Sequence, residues 1–170
     1  MRVYLPTTLG GLSVASAAGA FARAPLEAHA VTPAIREWYV SGDLEELEYA
    51  ALSEAAEASL RSLAAAGDAS WRRVVVAADV PDGAVRPRSD PLFRSAVTVT
   101  ASVPLDDVAS VHVDEAEAAD VVAAAVRALP AADAGDDDAQ FALDEAEATE
   151  LLWYDVTEIP DLLPPGAQGS

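Results

Sequence analysis

Cysteine, lysine and asparagine are all missing from this 170-residue sequence, and histidine occurs only twice. Without cysteine there is no thiol nucleophile, no disulfide and no thiolate metal site. Without lysine there is no Schiff-base chemistry and no lysine for a phosphate-binding loop. Positive charge is scarce as well, since ten arginines stand against 29 acidic residues and the formal net charge is −19. Such a field repels nucleic acid and anionic membranes, which are bound through basic surface, so neither is expected as a partner. No run approaches the roughly 18 apolar residues of a membrane span. Lysine and asparagine both use AT-rich codons, so their joint absence points to a GC-rich gene.

What is present suffices for one ordinary core, with 52% hydrophobic residues. We expect a single α+β domain over residues 1–163 and a flexible tail over 164–170. The opening stretch "MRVYLPTTLGGLSVASAAGAFARA" has the small residues of a secretory signal. Its apolar part is interrupted by Pro6, Thr7, Thr8, Gly10 and Gly11, which suits a strand followed by a Thr-capped helix better. A cytoplasmic location is the expectation.

Strands are expected over Arg2 to Leu5, Leu26 to Val31, Arg73 to Val80, Ala96 to Val103, Ala109 to Val113 and Leu151 to Thr157. The unbroken Val74, Val75, Val76 run predicts a strand covered on both faces, while Val97, Val99, Ala101 and Val103 alternate with polar residues and predict one wet face. A helix is expected from Leu44 to about Ala66, capped by Asp43 with Glu46 three residues on, and ended by Gly67. A second box, Asp114 with Glu117, opens a helix stopped by Pro130. Thr8 to Ala18 and Gln140 to Thr149 are weaker helical segments, and Asp136, Asp137 and Asp138 read as a solvated loop. From Leu26 onward the order strand, helix, strand, strand, helix, strand is that of a ferredoxin-like split βαβ sandwich, with an extra N-terminal strand and helix in front.

At about 100° per residue, Glu48 falls among Leu44, Ala51, Leu52 and Ala55 and so faces the core, opposite the arc of Glu46, Glu54, Glu57 and Arg61. A carboxylate there needs a partner. The nearest cation in sequence is Arg36, so a sealed Arg36 to Glu48 pair is expected, with a Tyr or Trp donor as the substitute. Trp38 and Tyr39 suit packing or a ligand face. Asp79 ends the central strand, where catalytic acids often sit. His112 and Asp114 share a strand face, but without a third ligand no metal is expected, and no cofactor is implied. Five arginines, Arg72, Arg73, Arg86, Arg88 and Arg94, fall between residues 72 and 94. They either offer a place for an anionic ligand or acidic partner, or neutralise the chain's own acids. Arg86 and Arg88 are expected to be solvent-exposed, in a loop long for so small a domain.

The segments "VTPAIREWY", "DLEELEYAAL", "VVVAADVP" and "ELLWYDVTEIPDLL" together resemble a family of short acidic actinobacterial proteins known only as a domain of unknown function. The resemblance implies no activity. It makes Arg36, Glu37, Trp38, Tyr39, Glu48, Tyr49, Trp153, Tyr154 and Glu158 the positions to follow. No nucleophile, base and orienter assemble from the sequence, so the first reading is a non-enzymatic binding or protein-interaction module for an unknown protein or small anionic ligand. The alternative is a small hydrolase or isomerase using Glu48, Asp79 and one His, with His112 the candidate, as acid and base.

Overall fold

The structure, a computed structural model, describes residues 1–164. The tail expected over 164–170 therefore lies, but for Pro164, outside the described residues. In chain order the elements are β1 (Arg2–Thr7), α1 (Leu9–Ala18), β2 (Ala20–Phe21), β3 (Leu26–His29), α2 (Pro33–Trp38), α3 (Leu44–Ala66), β4 (Val74–Asp79), β5 (Val85–Pro87), β6 (Ala96–Val99), β7 (Val103–Pro104), β8 (Val108–Val113), α4 (Ala119–Asp133), α5 (Asp137–Ala148), β9 (Leu152–Tyr154) and α6 (Ile159–Leu162).

Seven strands form one sheet in the order β5-β6-β3-β1-β4-β8-β9, and every neighbouring pair is antiparallel. β1 is therefore not an extra strand in front of a sandwich but the middle of the sheet. It separates β3 from β4, so the β3-α3-β4 crossover is split around it, whereas β8, α4, α5 and β9 return to a directly adjacent position. Pro6 is tolerated in this strand because β3 pairs with β1 only at Tyr4, which leaves no ladder on that side where proline lacks its N–H.

Period-two alternation divides the central strands between two covered faces. Val3 and Leu5 of β1, Val74 and Val76 of β4, and Val111 and Val113 of β8 point to one face, where Leu9 and Leu12 of α1 and Ile159 and Leu162 of α6 close over them. Tyr4, Val75 and Ala77 point to the other face and meet Ala51, Ala55 and Ala56 of α3. Residues 74–78 are all buried, as the unbroken apolar run required. Each valine buried there contributes roughly 1.5 to 3 kcal/mol relative to exposure. A separate cluster joins Leu60 and Leu63 of α3 to Val122, Ala125 and Leu129 of α4 and to Leu143 and Ala146 of α5.

Local signals place α3 closely. The Asp43 carboxylate accepts from the Glu46 N–H at 2.9 Å, and Gly67 closes the helix in the left-handed region at φ 61°. Other local expectations are overturned by longer-range partners. Asp114 does not cap a helix; it is fully buried and takes both Nε and Nη2 of Arg73 at 2.8 and 2.7 Å. A guanidinium only 2% exposed needs a carboxylate more than the helix needs a cap, and α4 starts at Ala119 without a side-chain cap. α4 also runs through Pro130 to Asp133 and ends before Gly135, whose φ is 96°. Asp136, Asp137 and Asp138 are exposed to solvent as expected but do not form a loop: Asp136 caps α5 by accepting from the Ala139 N–H, and Asp137 and Asp138 form its first turn, where the helix dipole favours acids. The long strand expected to Val103 breaks after Val99, and Val103 pairs with Phe21 in a two-stranded sheet.

No helix among the described residues is long and apolar enough to cross a membrane.

Candidate functional site

α4 and α5 cover only the C-terminal half of α3. Its N-terminal half rests on the sheet and on Ile35 of α2 through Leu47 and Ala50, and leaves Leu44 and Tyr49 in water. Two recesses flank it, and Tyr49 and Leu52 line both.

The first is a cleft of about 280 Å³ between α3 and the sheet. Alternation brings Arg2 and Tyr4 of β1, Ala77 of β4, Ser110 and His112 of β8, and Trp153 of β9 to its floor and wall, opposite Glu45 and Glu48. Tyr4 Oη donates to Glu48 Oε2 at 3.2 Å. Burial, followed by the charge of Glu48, raises the phenol's pKa, so Tyr4 holds its proton. Ser110 Oγ and His112 Nε2 are hydrogen-bonded at 3.0 Å. Burial, with a smaller effect of Arg2, lowers the imidazole's pKa and favours its neutral form. Beside the cleft, Arg2 Nε and Nη2 donate to both oxygens of Asp79 at 2.8 and 3.1 Å, and this pairing holds the Asp79 carboxyl below its usual range.

The second recess is a groove of about 430 Å³ running along α3 from the end of α2 to the α5-β9 connection. Phe93, Ala56, Leu60, Leu143 and Ala146 give it an apolar floor, and Tyr39, Tyr49 and Leu92 stand at its rim. Glu46, Glu54, Glu57, Glu147 and Glu150 line it, with Arg73 as the one lining cation. Burial raises the pKa of Glu54 and of Glu57. Glu54 is held by Ser95, whose N–H and Oγ both donate to it at 3.1 Å. Ser95 in turn is bonded to His29 Nδ1 at 2.7 Å, and Phe93 meets the His29 ring edge-on at 5.1 Å. This buried set fixes the loop that forms one wall of the groove.

A family model described as a family of unknown function, DUF6912, matches residues 1–163, from the central strand β1 to the end of α6. The chain belongs to DUF6912. No curated protein and no solved structure matches it.

The positions singled out in this DUF6912 sequence separate into three groups. Glu48, His112 and Trp153 meet in the cleft, with Asp79 at its edge through Arg2. Tyr39 and Tyr49 line the groove, and Trp38 is exposed with the Arg94 guanidinium 3.6 Å above its ring. The rest lie elsewhere. Tyr154 is next to Trp153 on a strand and so points to the opposite face, where it packs on the sheet core. Glu158 closes a capping box with Asp155, and Glu37 is exposed on α2. Arg36 is exposed, and no ion pair joins it to Glu48 among the described residues; Tyr4 supplies the hydrogen bond instead, and Glu48 is half-buried in an open cleft rather than sealed. The reason is topological: β1 lies beneath this part of α3, while α2 carries Arg36 outward.

The arginine-rich segment is mostly occupied by its own partners. Arg73 is buried against Asp114, Arg72 donates to the Asp114 carbonyl at 2.9 Å, and Arg94 lies on Trp38. Arg88 is half-buried and pairs with Asp90 at 2.9 Å, contrary to the exposure expected of it, whereas Arg86 on β5 is exposed. Nor does Asp114 offer a metal ligand beside His112, and no three His, Asp or Glu side chains converge for a metal among the described residues.

Sequence reasoning missed Tyr4, Arg2 and Ser110 in the cleft. Their only local signal is the polar side chain at every second position of an otherwise apolar strand, as in "RVYL" and "VASVHV".

Proposed function

We propose that this chain is a non-enzymatic protein-interaction module whose contact surface is the open half of α3 with its two flanking recesses. The observation that carries this reading is the crowding of exposed apolar side chains around that half. Among the described residues, seven of the eleven large hydrophobic residues that are exposed, Trp38, Tyr39, Val40, Leu44, Tyr49, Leu92 and Trp153, lie at the end of α2, on the turn leading into α3, on α3 itself or on the recess walls. Exposed apolar surface gathered in one place and rimmed by charge is a mark of association, and tyrosine and tryptophan are the side chains that anchor interfaces.

Site-specific photocrosslinking in the chain's own host tests the reading. A crosslinker replacing Tyr49 or Trp153 should give a discrete protein adduct, and one replacing exposed Phe141 on α5 should not. Equal adduct patterns at all three positions would sink it. The same cells, fractionated, test a cytoplasmic location, which we keep as part of the proposal.

The acid-base enzyme reading has one observation in its favour: Ser110, His112, Glu48 and the Tyr4 hydroxyl share one cleft. A hydroxyl beside a neutral imidazole is the beginning of a nucleophile and base pair, although a set of oxyanion donors is not evident there. Labelling of Ser110 by a fluorophosphonate, abolished in Ser110→Ala and His112→Gln, would favour the enzyme over the interaction module.

A further inference from the structure

We propose that the groove along α3 receives a basic amphipathic segment of a partner protein, its Lys or Arg side chains meeting the groove's carboxylates while its apolar side chains rest on the floor. This rests on the reading of the open half of α3 as an interaction surface and names the chemistry of what binds there.

Charge decides the sign of the partner. Five glutamates line the groove, and its single cation, Arg73, is committed to Asp114 and to the Thr149 carbonyl and is 2% exposed. Glu54 and Glu57 have partners within the chain, Ser95 and Arg61. Glu46, Glu147 and Glu150 are exposed and make no ion pair among the described residues. Burial first, and then the negative charge of Glu147 among other neighbours, works against ionisation of Glu57, which Arg61 only partly offsets. A cation entering the groove offsets the lost hydration and the repulsion by direct attraction, whereas an anion would add to the repulsion.

Shape decides that the partner is a chain segment and not a small amine. From Glu46 to Leu60 the groove follows α3 for about 21 Å at roughly 1.5 Å per residue, which suits a helix of about 14 residues or a shorter extended strand. An apolar floor beneath a charged rim matches one face of an amphipathic helix, with apolar anchors below and basic residues at the margins. A nucleic acid is disfavoured by the same carboxylates, and so is an anionic membrane.

The test uses a fluorescent Lys/Leu amphipathic helical peptide of about 14 residues and a Glu/Leu twin, with binding followed by anisotropy. The full chain should bind the Lys/Leu peptide, and more weakly as salt rises from about 50 to about 300 mM. Because any basic peptide feels so acidic a protein, two variants carrying the same net charge are compared. One is Glu57→Gln/Glu147→Gln/Glu150→Gln in the groove. The other is Glu115→Gln/Glu117→Gln/Asp120→Asn, three exposed acids just ahead of α4 and in its first turn. The groove variant should lose about tenfold or more in affinity and the other less than about twofold. Equal losses would overturn the proposal, reducing the binding to a diffuse field, and so would preference for the Glu/Leu twin or no binding of either peptide. If the crosslinker at Tyr49 still captures a discrete partner that the Lys/Leu peptide cannot displace, the interaction surface stands and the basic segment falls. If Tyr49 captures nothing, both fall.

Discussion

From Ala55 to Ala66, α3 lies between the sheet and the paired helices α4 and α5; from Leu44 to Glu54 it has the sheet, α2 and the loop through Ser95 for neighbours. The closed half presents alanines and leucines to its partners and is sealed around Leu63. The open half carries the same helical period but leaves Leu44 and Tyr49 in water and places Glu48 over a cleft. Polar groups differ in the same way. At the closed end, Arg73 and Asp114 form a dry bidentate pair, while beside the open end Arg2 and Asp79 pair in contact with solvent. One amphipathic helix thus serves as a structural strut where α4 and α5 pack on it and as the wall of two recesses over its open half, from which the groove continues as far as Leu60. What separates the halves is not hydrophobicity along the helix but whether a second helical layer reaches that far.

The comparison can be broken most decisively at the dry pair. Asp114→Ala strands a buried guanidinium and should cost about 4 kcal/mol in urea denaturation, because an uncompensated buried charge is worse than no pair at all. A loss below about 1 kcal/mol would mean that the closed end is not dry. Leu63→Ala, in the sealed cluster, should cost about 3 kcal/mol through lost burial and a residual cavity. A near-neutral Leu63→Ala would erase the contrast with the open half.

His29 offers a test through pH. Burial, with a smaller push from the Arg88 charge that Asp90 partly offsets, lowers its pKa from 6.5 to about 4, so the folded chain keeps a neutral ring. The unfolded chain binds a proton near pH 6.5 that the folded chain refuses until about pH 4. Between those values the unfolded state holds more protons, so stability is full above about 6.5 and falls as the pH drops, by about 3 kcal/mol in all. The difference in stability between pH 7 and pH 4 should shrink by most of that amount in His29→Gln, and an unchanged difference would show that the ring is not held neutral.

Smaller effects sharpen the open half. Tyr4→Phe removes the hydrogen bond to Glu48 without opening a cavity and should cost about 1 kcal/mol, since the half-buried carboxylate can be rehydrated from the cleft. A cost near that of Asp114→Ala would mean that the cleft is closed to water. Tyr49→Ala should change stability by less than about 0.5 kcal/mol while weakening capture of a partner by the crosslinker at position 153, because Tyr49 is 57% exposed. A destabilisation of about 2 kcal/mol or more would place Tyr49 in the core instead of at an interface.

The sequence by itself determined the features whose hydrogen bonds close within a few residues. Asp43 and Gly67 bound α3 because a side-chain cap and a left-handed glycine act on the turn they adjoin, and Thr8 starts α1 in the same way. The run from Val74 to Val76 required a strand covered on both faces, because alternation would be needed if either face were wet. Glu48 also needed a partner, on helical geometry alone. Only the tertiary structure decided which partner it took. Tyr4 lies 44 residues away and reaches Glu48 because β1 inserts between β3 and β4, a pairing that no local pattern specifies. Asp114, an apt cap by spacing, went to Arg73 because a buried guanidinium outweighs an uncapped helix end. The recesses beside Tyr49 are likewise absent from any periodicity, since they exist because α4 and α5 stop short of the N-terminal half of α3.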